Sequence, residues 1–159
     1  MKKVCLNIAC LGAGNHAFKN TLPALLKIKD FKLVGIYVRN LKKNSDKINE
    51  FKCKTSNDLN TILNIKNLNV VYISSQPCLH YSLARQALLL NKHVIIEKPA
   101  VTNLSQAKKL YSIASKKKLV IMEAFMYKYH RQFSAILEIL KKNKDRKLIK
   151  ISSIFGFPH

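Results

Sequence analysis

A short glycine-rich segment near the N-terminus has the residue types and spacing that bind phosphate. The segment Gly12-Ala13-Gly14-Asn15-His16-Ala17 fits the pattern G-x-G-x-x-A and joins an apolar run to a helical pattern. In such a turn the first glycine allows the bend, the second lets a diphosphate approach the backbone, and the third small residue lets helix and strand pack closely. Free N–H groups and the helix dipole then stabilise the phosphate charge. We predict a dinucleotide site over residues 12–16, with His16 at the helix entry and not a catalyst; the alternative is a plain strand-to-helix turn.

The end of the second predicted strand indicates which dinucleotide would bind. NAD-binding proteins tend to carry Asp or Glu there, because a carboxylate accepts the ribose hydroxyls. This sequence reads Tyr37-Val38-Arg39-Asn40 at that point, without a carboxylate. Arg39 offers a planar guanidinium that suits a 2′-phosphate. We therefore expect NADP(H). NAD(H) remains the alternative because Asn40 could serve a ribose, and Arg39 could simply be one exposed cation among 29.

A second group with chemical potential is Glu97-Lys98-Pro99, at the end of a strand rich in β-branched residues. Ligands of open α/β sheets bind beyond the carboxyl ends of the strands. A lysine in that place, beside a carboxylate, could donate a proton or hold a substrate hydroxyl. The alternative is a surface lysine in a loop, and spacing alone does not decide between the two.

The elements that must position these residues alternate between strand and helix. Strands are predicted at 4–11, 32–38, 52–55, 70–73, 93–97, 119–122 and 148–155, and helices at 16–28, 41–51, after 56–58, at 79–90, from 102–103 to 117, and at 133–140. Pro23 predicts a kink or restart of the first helix, with Thr21 as its cap. The alternation predicts an α/β protein with a doubly wound parallel sheet. The charged stretch 144–146 suggests a boundary, with a dinucleotide-binding domain over 1–143 and the start of a second α/β domain over 144–159.

The charge of the chain is strongly basic, with 29 Lys+Arg against 8 Asp+Glu and a formal net charge of +21. Such a balance favours polyanionic partners. Nucleic-acid surfaces, however, concentrate charge and use Arg, whereas here the lysines occur in every segment and the arginines are few. We therefore favour a general compositional bias over a nucleic-acid-binding surface.

The cysteines and the apolar runs bear on the compartment. Cys5, Cys10, Cys53 and Cys78 form no Cys-x-x-Cys pair, which favours free thiols over disulfides or a metal site. No apolar stretch approaches the roughly 20 residues of a membrane helix. We expect a cytoplasmic protein with no membrane partner and no metal.

The order of these motifs resembles the N-terminal half of the glucose–fructose oxidoreductase / inositol dehydrogenase / rhizopine-catabolism (Gfo/Idh/MocA) family. The resemblance rests on residues 11–14, 22–25, 71–74 with 77–80, and 92–99, of which Glu97-Lys98-Pro99 is the most specific. Residues 122–127 with Tyr129-His130 are similar to the dihydrodiol and xylose dehydrogenase branch.

The resemblance implies roles for individual residues. Lys98 would contact the substrate and assist proton transfer, and Glu97 would shape its turn. Ser75, Pro77 and His80 would line the nicotinamide side of the coenzyme, while Arg39 matches the basic position of NADP-preferring members. The implied reaction is an NAD(P)-dependent hydride transfer between nicotinamide and a sugar or polyol carbon.

Family members are about twice as long and carry a second domain, which binds substrate and forms the oligomer. Residues 148–155 resemble its first strand, whose unpaired edge would seek another chain. Three interpretations follow. The chain is a truncated or split product whose nucleotide site survives, or it is a non-catalytic NADP-binding module. The third, a basic nucleic-acid-binding protein, is disfavoured because the lysines are scattered. The expected protein partner is a complementing C-terminal half or a second copy in a homo-oligomer.

Overall fold

The computed structural model describes residues 5–142, 147, 149–154 and 156. The chain divides into two units, residues 1–124 and residues 125–159. The motifs at 12–17, 39 and 97–99 all belong to the first unit.

The first unit is built on a parallel sheet of six strands in the order β3-β2-β1-β4-β5-β6. The strands are β1 Leu6–Leu11, β2 Phe31–Tyr37, β3 Lys54–Ser56, β4 Leu68–Ile73, β5 His93–Ile96 and β6 Ile121–Glu123. This is the strand order of a dinucleotide-binding doubly wound fold, in which the order reverses between β1 and β4. The predicted fold class is therefore confirmed.

Successive residues of a strand point to opposite faces of the sheet. Both faces of this sheet carry apolar side chains, and helices cover both of them. In β1, Ala9 and Leu11 belong to one buried apolar cluster, and Ile8 and Cys10 to the other. The helices of the first unit are α1 Leu22–Leu26, α2 Ser45–Asn49, α3 Leu59–Leu63, α4 Pro77–Leu89 and α5 Leu104–Lys116. The first cluster lies under α3, α4 and α5, and the second lies under α1 and α2.

The first helix differs from its prediction near Pro23. Residues Ala17–Thr21 form a wider π-helical turn that continues directly into α1. Thr21 has helical backbone angles and makes no capping hydrogen bond, so its predicted role as a cap is wrong. The reason is that the wide turn carries the helix through to Pro23 and leaves no free N-terminus there to cap. The Thr21 hydroxyl instead lies 3.2 Å from the Tyr72 Oη.

Two other predicted caps are confirmed. The Asp58 carboxylate accepts the backbone N–H groups of Asn60 and Thr61 at the start of α3. The hydrogen bonds to Thr61 hold the pKa of Asp58 below its ordinary value. The Asn103 side chain accepts the Gln106 N–H at the start of α5. Both helices begin where the polar side chains predicted.

The second unit contains a 3-10 turn, Met126–Tyr129, and helix α6, Arg131–Lys142. Residues 149–154, which belong to the predicted strand 148–155, form no strand, and Ile149, Ile151 and Ile154 are exposed. A strand is stable only beside a partner that accepts its hydrogen bonds, and these residues have none within the described parts of the chain. Residues 143–146, 148 and 155 lie outside the described residues, so the predicted domain limits stay a prediction.

Candidate functional site

A pocket of about 540 Å³ opens at the carboxyl end of β1, between the ends of β2 and β4. Its volume lies within the range of about 300–1,000 Å³ that is usual for small-molecule sites. The pocket stands where the strand order reverses, the usual place for a ligand in this fold. Six predicted site residues line it: Gly12, Ala13, Gly14, Asn15, Arg39 and Ser75. The predicted residues His16, Pro77, His80, Glu97 and Lys98 are not among its lining residues.

Gly12 lets the ends of β1 and β4 come together. Its φ is +79°, and a Cβ atom at this position would lie 2.5 Å from the Ser75 Cβ. The N–H groups of Gly12 and Ala13 donate to the Tyr37 carbonyl, at 2.9 and 3.3 Å. These two amides are therefore used within the fold, contrary to the expectation that the amides of the bend itself face a phosphate. Gly12 is required by backbone conformation and close approach.

Gly14 stands in open space. A Cβ atom there would meet nothing within 4 Å, although the residue lines the pocket. The helix begins at Asn15, and the Gly14 carbonyl accepts the Phe18 N–H at 3.0 Å. The N–H groups of the first helical turn have no acceptor inside the helix. The space beside Gly14 and these N–H groups fit a diphosphate, because the absent side chain leaves room and the helix start favours anions. On this observation the residues fit a dinucleotide.

The β2 side of the pocket is basic. Arg39, Lys43 and Lys47 all line it. The Lys47 Nζ donates to the Asn15 Oδ1 at 2.7 Å and lies 6.0 Å from the centre of the Phe18 ring. Of these three cations, the sequence pattern predicted only Arg39. The i, i+4 spacing of Lys43 and Lys47 in the predicted helix 41–51 was the signal that could have found the other two.

The turn after β5 is held by side chains from neighbouring elements. The Tyr72 hydroxyl donates to the Glu97 Oε1 at 2.6 Å, and the Glu97 Oε2 accepts the Lys98 N–H at 3.3 Å. Burial raises the pKa of Tyr72, and the neighbouring Glu97 carboxylate raises it further. Lys98 is exposed and precedes a cis peptide bond to Pro99. Glu97 therefore anchors a turn that leaves the lysine side chain at the surface.

His80 lies beneath this turn and not on the pocket surface. Only 1% of its surface is exposed. The ring Nδ1 is 2.8 Å from the Pro99 carbonyl oxygen, and the Nε2 is 3.0 Å from the Ser75 carbonyl oxygen. The histidine thus connects the turn after β5 to the loop after β4. Its predicted contact with a coenzyme stays a prediction.

The four cysteines are free thiols, as predicted. Burial raises the pKa of Cys10, and burial also raises the pKa of Cys53 to about 11. Within the described residues, no three potential metal ligands lie together. No helix in the same residues combines the length and apolarity needed to cross a membrane.

Comparison with known proteins gives a consistent result. Residues 6–125 match the sequence profile GFO_IDH_MocA, described as the oxidoreductase family with an NAD-binding Rossmann fold. The chain is 25% identical over 153 residues to a dTDP-3,4-didehydro-2,6-dideoxy-alpha-D-glucose 3-reductase of Saccharopolyspora spinosa, with 96% of this chain and 46% of the relative covered. A protein of the same name from Streptomyces antibioticus is 28% identical, with 96% and 47% covered.

Solved structures agree with the sequence relatives. KijD10, a 3-ketoreductase from Actinomadura kijaniata crystallised with NADP and TDP-benzene, superposes with a TM-score of 0.81 at 25% identity. The superposition covers 87% of this chain and 42% of that protein. The chain thus spans less than half the length of these relatives.

Proposed function

The chain belongs to the Gfo/Idh/MocA oxidoreductase family, whose matched region is an NAD-binding Rossmann fold, and from this premise we propose that it binds NADP(H) for hydride transfer to or from a sugar or polyol carbon. The relatives are about twice its length, so the proposal concerns catalysis by these residues together with a substrate-binding half. Such a half would belong to a longer chain or to a complementing chain. Free thiols suit a reducing compartment such as the cytoplasm, where we place the protein.

One observation carries the coenzyme proposal: the open space at Gly14 beside the first N–H groups of a helix. A diphosphate there would receive hydrogen bonds from these N–H groups, and the missing side chain of Gly14 leaves room for its approach. The pocket wall formed by Arg39, Asn40 and Lys43 would hold the adenosine end of the coenzyme. A guanidinium and an ammonium on that wall favour a 2′-phosphate over a bare ribose hydroxyl.

Lys98 is the proposed catalytic residue. Bound coenzyme supplies the hydride chemistry, and Lys98 holds a hydroxyl or carbonyl oxygen of the substrate and gives or takes its proton at Nζ. Glu97 keeps the turn in place through its bonds to Tyr72 and to the Lys98 N–H. Because the backbone of this turn is already fixed, less entropy is lost when Lys98 is positioned beside the substrate, and such positioning is what a proton donor requires.

The substrate class follows from the relatives. The reductases of Saccharopolyspora and Streptomyces are named for a keto sugar linked to dTDP. We propose a sugar or polyol substrate for this protein as well. A non-catalytic NADP-binding module is the second candidate, since Lys98 is exposed and is not among the residues that line the pocket.

The proposal is tested by titrating the purified chain with NADPH and NADH while following nicotinamide fluorescence. We expect NADPH to bind about tenfold more tightly, which corresponds to about 1.4 kcal/mol for the phosphate contact. Arg39→Gln should remove most of this preference. Arg85→Gln, on the exposed side of α4, is the matched control and should keep it. Tighter binding of NADH, or no binding of either coenzyme, would contradict the proposal.

A further inference from the structure

The buried histidine is surrounded in a way that a neutral ring cannot satisfy. Both ring nitrogens of His80 face backbone carbonyl oxygens, at 2.8 Å for Pro99 and 3.0 Å for Ser75. A carbonyl oxygen can only accept a hydrogen bond, whereas a neutral imidazole has one N–H donor and one bare nitrogen. In either neutral tautomer one bare nitrogen would face an oxygen lone pair inside the protein. The geometry is satisfied only when both nitrogens carry a proton.

The Pro99 carbonyl is one end of a longer connection. It belongs to the same peptide group as the Ala100 N–H, which donates to the Glu123 Oε1 at 2.8 Å. A single peptide plane therefore lies between the His80 ring on its oxygen side and a carboxylate on its hydrogen side. A cation at one end and an anion at the other polarise the peptide in the same direction, so that each hydrogen bond strengthens the other.

This arrangement supplies what a buried cation needs. Burying a charge is costly unless it is hydrogen-bonded and compensated. The His80 ring has an acceptor for each N–H, and Glu123 provides the opposite charge through the peptide. No buried side-chain nitrogen or oxygen is without a partner in the described residues. The other ionisable groups of this turn are Glu97, which Tyr72 engages, and the exposed Lys98.

We infer that His80 is held as a doubly protonated imidazolium, and that it forms with the Pro99–Ala100 peptide and Glu123 a relay that positions the turn carrying Lys98. His80 and Glu123 are positioning residues, since neither lines the pocket. The relay fixes the chain immediately after Lys98, while Tyr72 fixes Glu97 immediately before it. The catalytic meaning of the relay rests on the proposed function, but its protonation state exists without coenzyme and is measured separately.

The test is nitrogen-15 NMR of the full chain, labelled, without coenzyme and at neutral pH. Long-range proton–nitrogen correlations report each ring nitrogen of the assigned His80. We expect two similar shifts of the protonated kind, whereas a neutral ring gives one protonated and one bare nitrogen with widely separated shifts. A bare nitrogen in the folded wild-type chain would overturn the inference, whatever the coenzyme titration shows.

The role of Glu123 is tested with Glu123→Gln, which keeps an oxygen for the Ala100 N–H but removes the charge. We expect the ring-nitrogen signals of His80 and the Ala100 amide signal both to move, because the peptide between them loses its polarising charge. Glu50→Gln removes an exposed carboxylate after α2 and should leave both signals in place. An unchanged His80 in folded Glu123→Gln would overturn the relay. If this variant fails to fold, the wild-type ring shifts still decide whether His80 carries both protons.

Discussion

Two turns at the same edge of the sheet perform their proposed tasks by opposite physical means. At the turn after β1, the important features are the space left by the absent side chain of Gly14 and the cations that line the pocket. At the turn after β5, they are polar side chains packed into fixed partnerships, with Tyr72 on Glu97 and His80 on Pro99. The first turn should therefore respond to added volume and to salt. The second should respond to the loss of single hydrogen bonds and very little to salt.

The largest effect is expected from Gly12→Ala. The added Cβ would lie 2.5 Å from the Ser75 Cβ, and the backbone has a φ of +79° that alanine adopts poorly. Strain and overpacking together should lower the free energy of unfolding by about 2–4 kcal/mol. Thermal or denaturant unfolding followed by circular dichroism measures the change.

Gly14→Ala is the matched partner of that variant, because its Cβ would meet no protein atom within 4 Å. We expect stability within about 0.5 kcal/mol of wild type, but NADPH binding at least about tenfold weaker as the methyl group occupies the diphosphate space. If Gly14→Ala bound NADPH normally, the diphosphate could not lie at this turn. If Gly12→Ala kept full stability, the contact with Ser75 would not be the reason for the glycine.

The sequence predicted the turn after β1 more completely than the turn after β5. Glycines in a fixed pattern between a strand and a helix report a local backbone shape, and local shape is what a sequence encodes most directly. Asp58 and Asn103 were found as caps for the same reason. The partners of Glu97 and His80 come from residues 25 and 19 positions away, and no local pattern indicates such pairs.

The errors of prediction have the same origin. Thr21 looked like a cap because Pro23 follows it, yet the wide helical turn and the Tyr72 hydroxyl gave it another neighbour. The predicted strand 148–155 was assigned to a second domain, and its described residues 149–154 have no strand to pair with in the described parts of the chain. In both cases the outcome depends on a contact between residues distant in sequence. The local propensity of a residue for helix or strand does not report such a contact.

The next effect in size is expected from Tyr72→Phe, which tests the second turn. The variant removes the 2.6 Å hydrogen bond to the half-buried Glu97 and the contact with Thr21. Hydrogen bonds to charged groups contribute more than neutral ones, and we expect a loss of about 1–2 kcal/mol that does not depend on salt. Tyr111→Phe, at a position that is 72% exposed, should leave stability unchanged.

The pH dependence sharpens the same test. The pKa of Tyr72 is raised in the folded chain. The protonated phenol therefore contributes fully to the free energy of unfolding below the ordinary tyrosine pKa of about 10, and this contribution is lost as the pH rises above that value. Wild-type stability should therefore fall in alkali with a component that Tyr72→Phe lacks. An identical alkaline profile for both chains would show that the phenol titrates normally and that its bond to Glu97 contributes little.

The smallest effect is expected from Lys43→Gln, on the exposed wall of the first turn. Single exposed charges contribute about 0.2–1 kcal/mol, so NADPH binding should weaken about threefold. NADH, which lacks the 2′-phosphate, should bind as before. The difference should shrink when salt is added, because the screening length falls to about 3 Å at 1 M. Lys108→Gln, exposed on α5 and not among the residues that line the pocket, removes the same charge and should change neither affinity. Equal weakening by both lysine variants would mean that NADPH senses only the net charge of +21. The wall would then be no specific phosphate site, and the contrast between the two turns would reduce to the packing around Gly14.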